Sequence, residues 1–370
     1  MTTLVYLINV DWFFVSHFRH LAKEAIANGY RVILATRVTG YGDALSGDGI
    51  ELVPLPHART GMRPLGLRSS VNIVEALLRQ HPRAVLHGFG VFGVLSGALA
   101  TRNLPTVRCV YTITGRGYAA ISRAPSMLLL GKGTSTFNRL VADDDNTRWM
   151  VENDADIQHA GLRKAFRQGR VAVVGGAGVD PNVFVPTSMA KHPPLRLGFV
   201  ARLIWSKGLD IAVKAVSSAR ARGYDVRLTV AGEPDQGNPG AFSEAQLAAF
   251  AATPGVKFVG RIGDIPGFWN EHHVAFLPSR GGEGMPRSLL EAAACGRPIL
   301  TSDVPGCREL ATQTRGWVAP TSASAANTIA DISQCPDLEA RGLFARSVIE
   351  KEFTQERLWQ RAVEWYARAA

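Results

Sequence analysis

The sequence predicts an α/β protein made of two doubly wound domains, each with a parallel sheet covered by helices, and both facing a central cleft. Short apolar strand patterns alternate with helical patterns through the first third of the chain, and the alternation restarts near residue 195. A proline-rich stretch without periodicity, residues 181–194, separates the two series. The length of 370 residues is also more than one ordinary core needs and suits two domains.

The individual strands and helices follow from short apolar runs and the residues that punctuate them. The first strand occupies residues 4–8, and the helix after it, at 17–27, ends at Gly29, a residue type that commonly terminates helices. The first series continues with strands at 31–35, 50–55, 84–87 and 106–111 and a helix at 71–80. The second series has strands at 195–200, 226–231, 256–259, 275–277 and 298–301 and helices at 209–222, 245–252 and 286–294. Such β-α-β alternation is typical of parallel sheets.

Four segments are predicted from this alternation. An N-terminal domain covers residues 1–180, a linker 181–194 and a C-terminal domain 195–352. The last segment, 353–370, has a helical apolar pattern and is expected to pack back on the N-terminal domain. Ligands of open α/β sheets bind beyond the carboxyl ends of the strands, so functional residues are expected in the loops at those ends.

Composition argues against several classes of protein. With 46% hydrophobic and 19% charged residues, the chain is globular rather than disordered. No apolar run approaches the length of about 18 residues that predicts a transmembrane helix, and residues 1–10 lack the features of a secretion signal. The four cysteines have no C-x-x-C spacing, which argues against zinc or redox sites and fits reduced thiols in the cytoplasm.

Positive charge is concentrated in the first domain. The net charge is +10, and residues 52–140 contain eleven Arg and Lys but a single acid, Glu75. Such a field attracts phosphates, anionic lipid headgroups or nucleic acid, although a solvated basic face needs no partner. Nucleic acid is disfavoured because the sequence has no basic helix, no aromatic-basic alternation and no zinc-finger spacing.

The strongest functional signal is a glycine-rich loop that follows a strand and opens a helix at Pro286. Proline suits the first helical turn, and the N–H groups of Ser288 and Leu289 in that turn are predicted to hold a phosphate. Glu283 precedes this turn, and Glu291 lies eight residues later inside the helix. Carboxylates accept hydrogen bonds from sugar and ribose hydroxyls, so two acids around an anion site predict a diphosphate flanked by hydroxyl-bearing groups.

Two cations form the second signal. A strand delivers Arg202 to its carboxyl end, and Lys207 follows five residues later at the start of the next helix. A planar guanidinium and a compact ammonium suit a diphosphate, and in a transfer reaction they would stabilise negative charge on the leaving diphosphate. Taken singly, these cations and the two glutamates read as surface charges, whereas their joint order and spacing favour a site.

Together the two segments resemble glycosyltransferase family 4. The pattern G-x-V-A-R-L-x-x-x-K-G, which carries Arg202 and Lys207, is followed by E-G-x-P-x-x-x-L-E-A-x-A-x-G-x-P, which carries Glu283 and Glu291. Residues 176–186 also resemble the family's junction motif N-G-V-D-x-x-x-F-x-P. The resemblance implies the GT-B fold of two Rossmann-like domains, a nucleotide-diphospho-sugar donor, retention of anomeric configuration, and neither metal nor cofactor.

The resemblance also implies roles for single residues. Arg202 and Lys207 would bind the donor diphosphate. Glu283 would contact hydroxyls of the donor sugar, and Glu291 would bind the ribose. The remaining donor-side positions are the amides of Gly284 and Met285 beside the sugar, and Arg261 and Ile262 near the base.

The acceptor side centres on His17, which stands in the form Ser-His-Phe-Arg at the start of the first predicted helix. This form resembles transferases that build O-antigens, capsules and other glycans on a lipid pyrophosphate, although a single histidine there also reads as a helix cap or a packed side chain. Many family members carry histidines where this chain has Phe89 and Thr114, so the identity of an acceptor-side base stays open. The acceptor-side candidates are His17, His87, Asp11, Thr114 and Arg116.

Residues 118–140 mix apolar side chains with Arg123, Lys132 and Arg139. This pattern fits an amphipathic helix on a membrane interface and also an ordinary helix of the N-terminal domain. A lipid-pyrophosphate acceptor and an anionic membrane would both explain the basic field of this domain. We therefore expect a cytoplasmic protein in peripheral contact with the inner face of the cell membrane.

The predicted activity is that of a retaining, metal-independent hexosyl- or N-acetylhexosaminyltransferase of surface polysaccharide biosynthesis, such as that of O-antigen or lipopolysaccharide. A UDP-linked N-acetylhexosamine is favoured as donor over a GDP-linked, mannose-type sugar, and a glycan linked to a lipid pyrophosphate is expected as acceptor. A leaving phosphate that takes the acceptor proton would remove the need for a separate base. The alternatives are a soluble transferase of a small metabolite, an epimerase of the same fold, and a non-catalytic nucleotide-sugar sensor or scaffold.

Overall fold

The structure is a computed structural model that describes residues 2–56, 64–115, 125–235 and 237–368. It contains two Rossmann-like α/β units, each built on a parallel sheet, which confirms the predicted fold class. Each unit has a buried apolar core of its own.

The chain passes from the first unit to the second and then returns. The first unit takes the described residues up to Ala177 and those from Gln355 onwards, and the second unit is Gly178–Thr354. The sequence-based boundaries lie at residues 180 and 353.

The first unit is built on one sheet of parallel strands. Its described strands are β1 (Thr3–Val10), β2 (Arg31–Arg37), β3 (Glu51–Pro54), β4 (Val85–Phe89), β5 (Arg108–Ile113), β6 (Thr147–Val151) and β7 (Val171–Val173). Its described helices before the crossover are α1 (Asp11–His17), α2 (Arg19–Ala27), α3 (Gly42–Gly47), α4 (Pro64–Gln80), α5 (Gly90–Thr101), α6 (Pro125–Phe137), α7 (Asp154–His159) and α8 (Arg163–Arg167). The strand order is β3-β2-β1-β4-β5-β6-β7, so the winding reverses between β1 and β4.

The second unit repeats this plan. Its described strands are β8 (Leu195–Val200), β9 (Val226–Ala231), β10 (Val256–Gly260), β11 (Val274–Leu277), β12 (Ile299–Thr301) and β13 (Trp317–Val318). Its described helices are α9 (Leu209–Ala221), α10 (Glu244–Ala251), α11 (Ile265–Asn270), α12 (Arg287–Ala294), α13 (Cys307–Gln313), α14 (Ser322–Ser333) and α15 (Leu338–Glu352). The strand order is β10-β9-β8-β11-β12-β13, and the winding reverses between β8 and β11.

The central strands are apolar along most of their length because the sheet is covered on both faces. In β1, Leu4, Val5, Tyr6 and Leu7 are all fully buried, although successive side chains point to opposite faces. Burial of side chains of this size stabilises the fold by roughly 1.5–3 kcal/mol each. The functional polar residues of each unit are therefore expected mainly in the loops at the strand ends.

The C-terminal helix, α16 (Gln355–Arg368), packs on the first unit. Its Leu358, Trp359, Trp365 and Tyr366 are buried in one cluster with residues of β1 and α2. Apolar residues three to four positions apart lie on one face of a helix, and this face is the one that α16 buries.

The segment after β1 differs from the single helix predicted at residues 17–27. It forms two helices, α1 and α2, which Phe18 separates with φ −130° and ψ 3°. α1 begins at Asp11, directly after the strand, and Val10 at its N-cap makes no side-chain hydrogen bond. Helix starts are read from Ser, Thr, Asn or Asp at the N-cap, so a helix that follows a strand without such a cap is easily missed.

The segment at 118–140, whose sequence fits both an amphipathic interfacial helix and an ordinary helix of the N-terminal domain, lies partly outside the described residues. Its described part forms α6 and a π-helical turn, Asn138–Ala142. In that turn Leu140 is 69% exposed and Val141 is 47% exposed, beside exposed Arg139. Among the described residues, no helix combines the length and the apolar character needed to cross a membrane.

Candidate functional site

The candidate donor site lies at the carboxyl edge of the second sheet. β8 and β11 are neighbours there, and the winding reverses between them, which is where open α/β sheets bind ligands. The loop after β8 carries Arg202 and Lys207, and the loop after β11 carries Glu283. Two distant sequence segments therefore meet at one edge of the sheet.

Lys207 and Glu283 form an ion pair in this site. The Lys207 ammonium donates to both carboxylate oxygens of Glu283, at 2.6 Å to Oε1 and 2.8 Å to Oε2. The Ser279 hydroxyl also donates to Oε1, at 2.9 Å. The side chains of the pair are only 17% and 9% exposed, so solvent screens their attraction weakly. A bound sugar and diphosphate would have to replace these contacts.

Arg280 joins the two loops. Its guanidinium donates two hydrogen bonds to the Asp210 carboxylate, at 2.7 and 2.6 Å, and one to the Trp205 carbonyl at 2.7 Å. It also lies 4.4 Å from the centre of the Trp205 ring, within cation–π range. The Arg280 amide donates to the Ser206 carbonyl at 2.7 Å. Trp205 and Ser206 belong to the 3₁₀ turn that ends at Lys207, so these contacts fix the position of that lysine.

Two glycines allow the loops to approach each other. Gly208, just before α9, has φ +74°, and a Cβ at this position would lie 1.9 Å from the Pro278 carbonyl oxygen. Gly232, just after β9, has φ +140°, and a Cβ there would lie 1.9 Å from the Ala201 carbonyl oxygen. Only glycine fits such close backbone contacts at positive φ. The loops after β8, β9 and β11 are thereby packed into one group.

Arg202 extends from the end of β8, and 45% of its side chain is exposed. Its Nη1 donates to Oδ2 of Asp235 at 2.6 Å. Asp235 lies in the loop after β9, and its side chain is 7% exposed. This exposed cation of the site is therefore held on one side by a buried acid.

The helix after the glycine-rich loop begins one residue later than predicted. α12 starts at Arg287, and Pro286 is its N-cap residue, with φ −67° and ψ 110°. The Leu289 amide donates to the Pro286 carbonyl at 3.1 Å, which corrects the prediction that this amide is open to a phosphate. Ser288 occupies the second helical position, where the helix itself offers no carbonyl partner, so its amide stays a candidate. The predicted neighbours of the donor sugar, Gly284 and Met285, are buried in the preceding loop.

Glu291 lies inside α12, with its side chain 10% exposed. It accepts a hydrogen bond from Arg287 Nε at 2.8 Å. Burial raises the pKa of Glu291, and the Arg287 guanidinium opposes that shift. Arg287 therefore favours the carboxylate form, which is the form that accepts hydrogen bonds from hydroxyl groups.

Arg261 and Ile262 follow β10 at the same edge of the sheet. Arg261 is exposed and Ile262 is half-buried. β9 separates β10 from β8 in the sheet, so these two residues follow a strand two positions away from the one that precedes Arg202.

Asp11, predicted as an acceptor-side candidate, instead fixes a loop of the first unit. Its buried carboxylate accepts hydrogen bonds from the amides of Thr39, Gly40 and Tyr41, at 2.7, 3.2 and 3.1 Å, and from that of Trp12 at 2.7 Å. The Thr39 hydroxyl also donates to it. Burial acts to raise the pKa of Asp11, but these hydrogen bonds outweigh it and the pKa is lowered. A saturated carboxylate with a lowered pKa is a poor proton acceptor.

His87, another acceptor-side candidate, belongs to the core. Its Nδ1 lies 2.6 Å from the Tyr366 hydroxyl and its Nε2 lies 2.7 Å from the Thr112 hydroxyl. Burial lowers the pKa of His87 to about 3. With no exposed surface and both ring nitrogens engaged, His87 links β4, β5 and α16 and does not face a substrate.

His17 is half-buried at the end of α1. Its Nδ1 lies 2.6 Å from the Ser16 hydroxyl and 3.2 Å from the Phe13 carbonyl, and its ring centre lies 4.2 Å from that of Phe13. Thr114 is half-buried directly after β5, at the carboxyl edge of the first sheet. Arg116 lies outside the described residues. His17 and Thr114 remain predictions for the acceptor side.

Three residues of the donor site have no counterpart in the sequence-based prediction: Ser279, Arg280 and Asp235. Asp235 lies 33 positions from Arg202, and Arg280 lies 70 positions from Asp210, so no local pattern connects the partners. One signal was available, because all three closely follow apolar strands that end at the same edge of the sheet.

The chain matches two sequence models of glycosyltransferases. Residues 3–140 match the family described as "Glycosyl transferase 4-like". Residues 194–334 match the family described as "Glycosyl transferases group 1". The first match falls on the N-terminal unit and the second on the C-terminal unit.

Two curated proteins are similar in sequence. The amylovoran biosynthesis glycosyltransferase AmsK of Erwinia amylovora is 32% identical over 209 residues, which cover 52% of this chain and 50% of that protein. One of the subunits of the human phosphatidylinositol N-acetylglucosaminyltransferase is 23% identical over 305 residues, which cover 80% of this chain and 60% of that protein. The chain therefore spans about half to three-fifths of the length of these relatives.

One solved structure with the same fold is that of Anabaena HepE in complex with UDP and glucose. It aligns with a TM-score of 0.75 over 99% of this chain and 100% of that protein, at 16% sequence identity. At 16% sequence identity, this likeness shows that the two proteins share a fold and nothing more.

Proposed function

This chain belongs to glycosyltransferase family 4, and from that premise we propose that it is a retaining, metal-independent transferase that moves a hexose or N-acetylhexosamine from a nucleotide-diphospho-sugar to a glycan acceptor. The observation that carries the proposal is the meeting of Arg202, Lys207 and Glu283 at the β8–β11 edge. The two cations bind the donor diphosphate and stabilise the negative charge that grows on it as it leaves. Glu283 accepts hydrogen bonds from hydroxyls of the donor sugar.

The proposed reaction joins the acceptor oxygen to the anomeric carbon and breaks the bond between that carbon and the diphosphate. The acceptor proton passes to the leaving phosphate. This route suits a chain in which Asp11 and His87, two candidate bases, are buried and fully engaged in hydrogen bonds. His17 is the side chain that we assign to orienting the acceptor hydroxyl.

A UDP-linked donor is favoured over a GDP-linked one. HepE was solved with UDP and glucose, and the human relative is named as part of an N-acetylglucosaminyltransferase. Both names support a hexose or an N-acetylhexosamine as the transferred sugar. The name of AmsK, an amylovoran biosynthesis glycosyltransferase, supports a role in polysaccharide biosynthesis.

The acceptor is proposed to be a glycan linked to a lipid pyrophosphate at the cytoplasmic face of the cell membrane. The name of the human relative includes phosphatidylinositol, which is a phospholipid, and this supports an acceptor that carries a lipid. Residues 52–140 carry eleven Arg and Lys against one acid, which favours anionic headgroups. Exposed Leu140 and Val141 next to Arg139 add an apolar and basic surface of the kind that enters a membrane interface.

The proposal is tested by thermal unfolding of the full chain with UDP, GDP and their common sugar conjugates. A ligand at 100 times its Kd adds about 2.7 kcal/mol of stability. We expect one nucleotide class to raise the melting temperature of the wild type and to have little effect on Arg202→Ala. Arg308→Ala is the control, because Arg308 is an exposed arginine of the same unit that pairs with Asp303.

The nucleotide found in this way selects the donors for a transfer assay with lipid-linked acceptors in anionic vesicles. Transfer with retained anomeric configuration is the expected result. No stabilisation by any nucleotide would remove the donor-site assignment. Stabilisation without transfer to any lipid-linked or free glycan would favour a non-catalytic nucleotide-sugar-binding protein.

A further inference from the structure

We infer that Asp235 is a positioning residue of the donor site, which orients Arg202 towards the donor diphosphate without touching the donor. The inference rests on the proposed function and adds a residue to the same site. Its basis is the 2.6 Å hydrogen bond from Arg202 Nη1 to Asp235 Oδ2, made by a carboxylate that is 7% exposed. A buried carboxylate that faces a functional cation either holds it in place or competes with its ligand, and the geometry distinguishes the two.

The Arg202–Asp235 contact leaves most of the guanidinium available. Asp235 engages one nitrogen of Arg202, while 45% of the arginine side chain is exposed. A guanidinium carries five N–H donors, so the others can bind a diphosphate while the bond to Asp235 persists. Arg280 shows the contrasting arrangement, in which Asp210 takes two nitrogens at 2.7 and 2.6 Å. If Asp235 competed with the diphosphate, we would expect it to accept hydrogen bonds from two nitrogens of Arg202, as Asp210 does from Arg280.

The loop that carries Asp235 is fixed to the segment that carries Arg202. Three backbone hydrogen bonds and one antiparallel bridge join them: Leu203 N to Glu233 O at 2.9 Å, Trp205 N to Gly240 O at 2.7 Å, Phe242 N to Leu203 O at 3.2 Å, and Ile204 with Ala241. Gly232 packs against Ala201 at the root of the same loop. Asp235 and Arg202 are thus held in register before any ligand arrives. A cation that is already oriented loses less side-chain entropy when it binds a phosphate.

The second cation of the site is held differently. Lys207 donates to both oxygens of Glu283, and Glu283 is itself the proposed sugar ligand. That pair has to rearrange when a donor binds, whereas Arg202 can bind the donor and Asp235 together. Arg202 is therefore the cation that presents a ready-made phosphate contact, and Asp235 sets its direction.

The test is a double-mutant cycle on the full chain, read as the dissociation constant of UDP, or of GDP if that is the nucleotide that the wild type binds. The variants are Asp235→Ala, Asp235→Asn, Arg202→Ala and the double variant Arg202→Ala/Asp235→Ala. Asp225→Ala is the matched control, because Asp225 precedes β9 as Asp235 follows it and also faces an arginine, Arg220, at 3.6 Å. Uridine, which lacks the diphosphate, is titrated in parallel.

We expect Asp235→Ala to weaken nucleotide diphosphate binding about tenfold, the size of one lost hydrogen bond to a charged group. Asp235→Asn should recover most of this loss, because its amide oxygen still accepts from Nη1. In the Arg202→Ala background the same substitution should weaken nucleotide binding no further, since the role that we infer for Asp235 in binding depends on Arg202. Uridine should bind all variants alike, and Asp225→Ala should bind like the wild type.

Three results would overturn the inference. Tighter binding by Asp235→Ala would show that Asp235 competes with the donor. A tenfold loss that persists in the Arg202→Ala background, or that extends to uridine, would show that Asp235 acts on the fold of the site. Unchanged binding by Asp235→Ala, with normal binding by the wild type, would remove this inference alone. A wild type that binds neither UDP nor GDP would instead remove the proposed function, and the inference with it.

Discussion

At the scale of single residues, the charges of the donor site are paired before a donor is bound. Lys207 with Glu283 and Arg202 with Asp235 place two cations and two carboxylates at one edge of a sheet. Taking one member from a desolvated pair leaves its partner as an uncompensated buried charge, which costs more than the pair itself contributes. Stability and ligand binding are therefore linked at these positions.

Replacement of Lys207 tests that link. We expect Lys207→Met to lower the free energy of unfolding by about 3 kcal/mol, because Glu283, 9% exposed, loses its counter-ion. Adding Glu283→Gln should restore most of the stability, since a neutral amide needs no counter-ion, but it should not restore nucleotide binding. Urea unfolding measures the first effect and nucleotide titration the second.

The control for this experiment is an exposed pair of the same unit. Arg308 and Asp303 are 46% and 49% exposed, so Arg308→Met should change stability by no more than about 0.5 kcal/mol. Equal effects of the two substitutions would mean that solvent screens the Lys207–Glu283 pair as fully as a surface pair.

At the scale of elements, buried strands were the most predictable feature. The predicted bounds of β8 and β9 agree with the structure at both ends, because each strand buries apolar residues at alternate or more frequent positions, although Arg196, Arg227 and Thr229 interrupt them. α1 could not be found in this way. It begins without a capping side chain, and its apolar residues continue those of the preceding strand.

The donor site was predictable in part for the same kind of reason. Arg202, Lys207, Glu283 and Glu291 stand in local patterns with fixed spacing beside strand ends or helix starts. Asp235 and other supporting residues act through partners far away in the chain, so their roles depend on which loops the sheet brings together. Local sequence patterns also could not show that α16 covers His87, because this helix lies at the end of the chain, far from His87 in sequence.

The two ends of α9 provide a test of how closely the site loops must pack. Gly208 precedes the helix and Gly223 follows it, and both have positive φ, +74° and +90°. A Cβ at Gly208 would meet the Pro278 carbonyl at 1.9 Å, whereas a Cβ at Gly223 would have no atom within 4 Å. Gly208→Ala should therefore destabilise by about 3 kcal/mol or more, and Gly223→Ala by about 1 kcal/mol from backbone strain alone.

The same pair of variants separates strain from function. Gly208→Ala should also weaken nucleotide binding, because it pushes the turn that carries Lys207 away from the loop after β11. Gly223→Ala should leave nucleotide binding unchanged. Urea unfolding and nucleotide titration of both variants make the comparison, and normal nucleotide binding by a folded Gly208→Ala protein would contradict the close-packing argument.

At the scale of the whole molecule, the described residues include buried histidines with lowered pKa values in both units, His87 in the first and His272 and His273 in the second. Burial lowers the pKa of His87 in the first unit to about 3 and, with a contribution from Arg196, that of His273 in the second unit to about 4. In the unfolded chain a histidine has a pKa near 6.5. Below that pH, these histidines bind protons in the unfolded chain but remain neutral in the folded chain. Both units therefore lose stability as the pH falls.

Carboxyl groups do not produce this loss of stability. Asp11 and Asp48 have lowered pKa values, so the stability that they contribute is lost only as the pH falls below about 4. Burial raises the pKa of Glu291, which therefore acts in the opposite direction and contributes less stability as the pH rises past its folded-state pKa. The decline from pH 6.5 to 5 is thus assigned to the three buried histidines, His87, His272 and His273.

The substitution His87→Gln measures how much of this pH-dependent loss of stability comes from the first unit. One proton of difference changes the free energy of unfolding by about 1.4 kcal/mol per pH unit, so the wild type should lose about 2 kcal/mol more than His87→Gln between pH 6.5 and 5. The quantity compared is the slope with pH, because the substitution also removes the hydrogen bonds to Tyr366 and Thr112 and lowers stability at every pH. Urea unfolding followed by tryptophan fluorescence at several pH values provides these slopes, with His273→Gln as the matching variant in the second unit. Parallel slopes for the wild type and His87→Gln would mean that His87 gains its proton while the first unit is still folded, which its enclosure between β4, β5 and α16 should prevent.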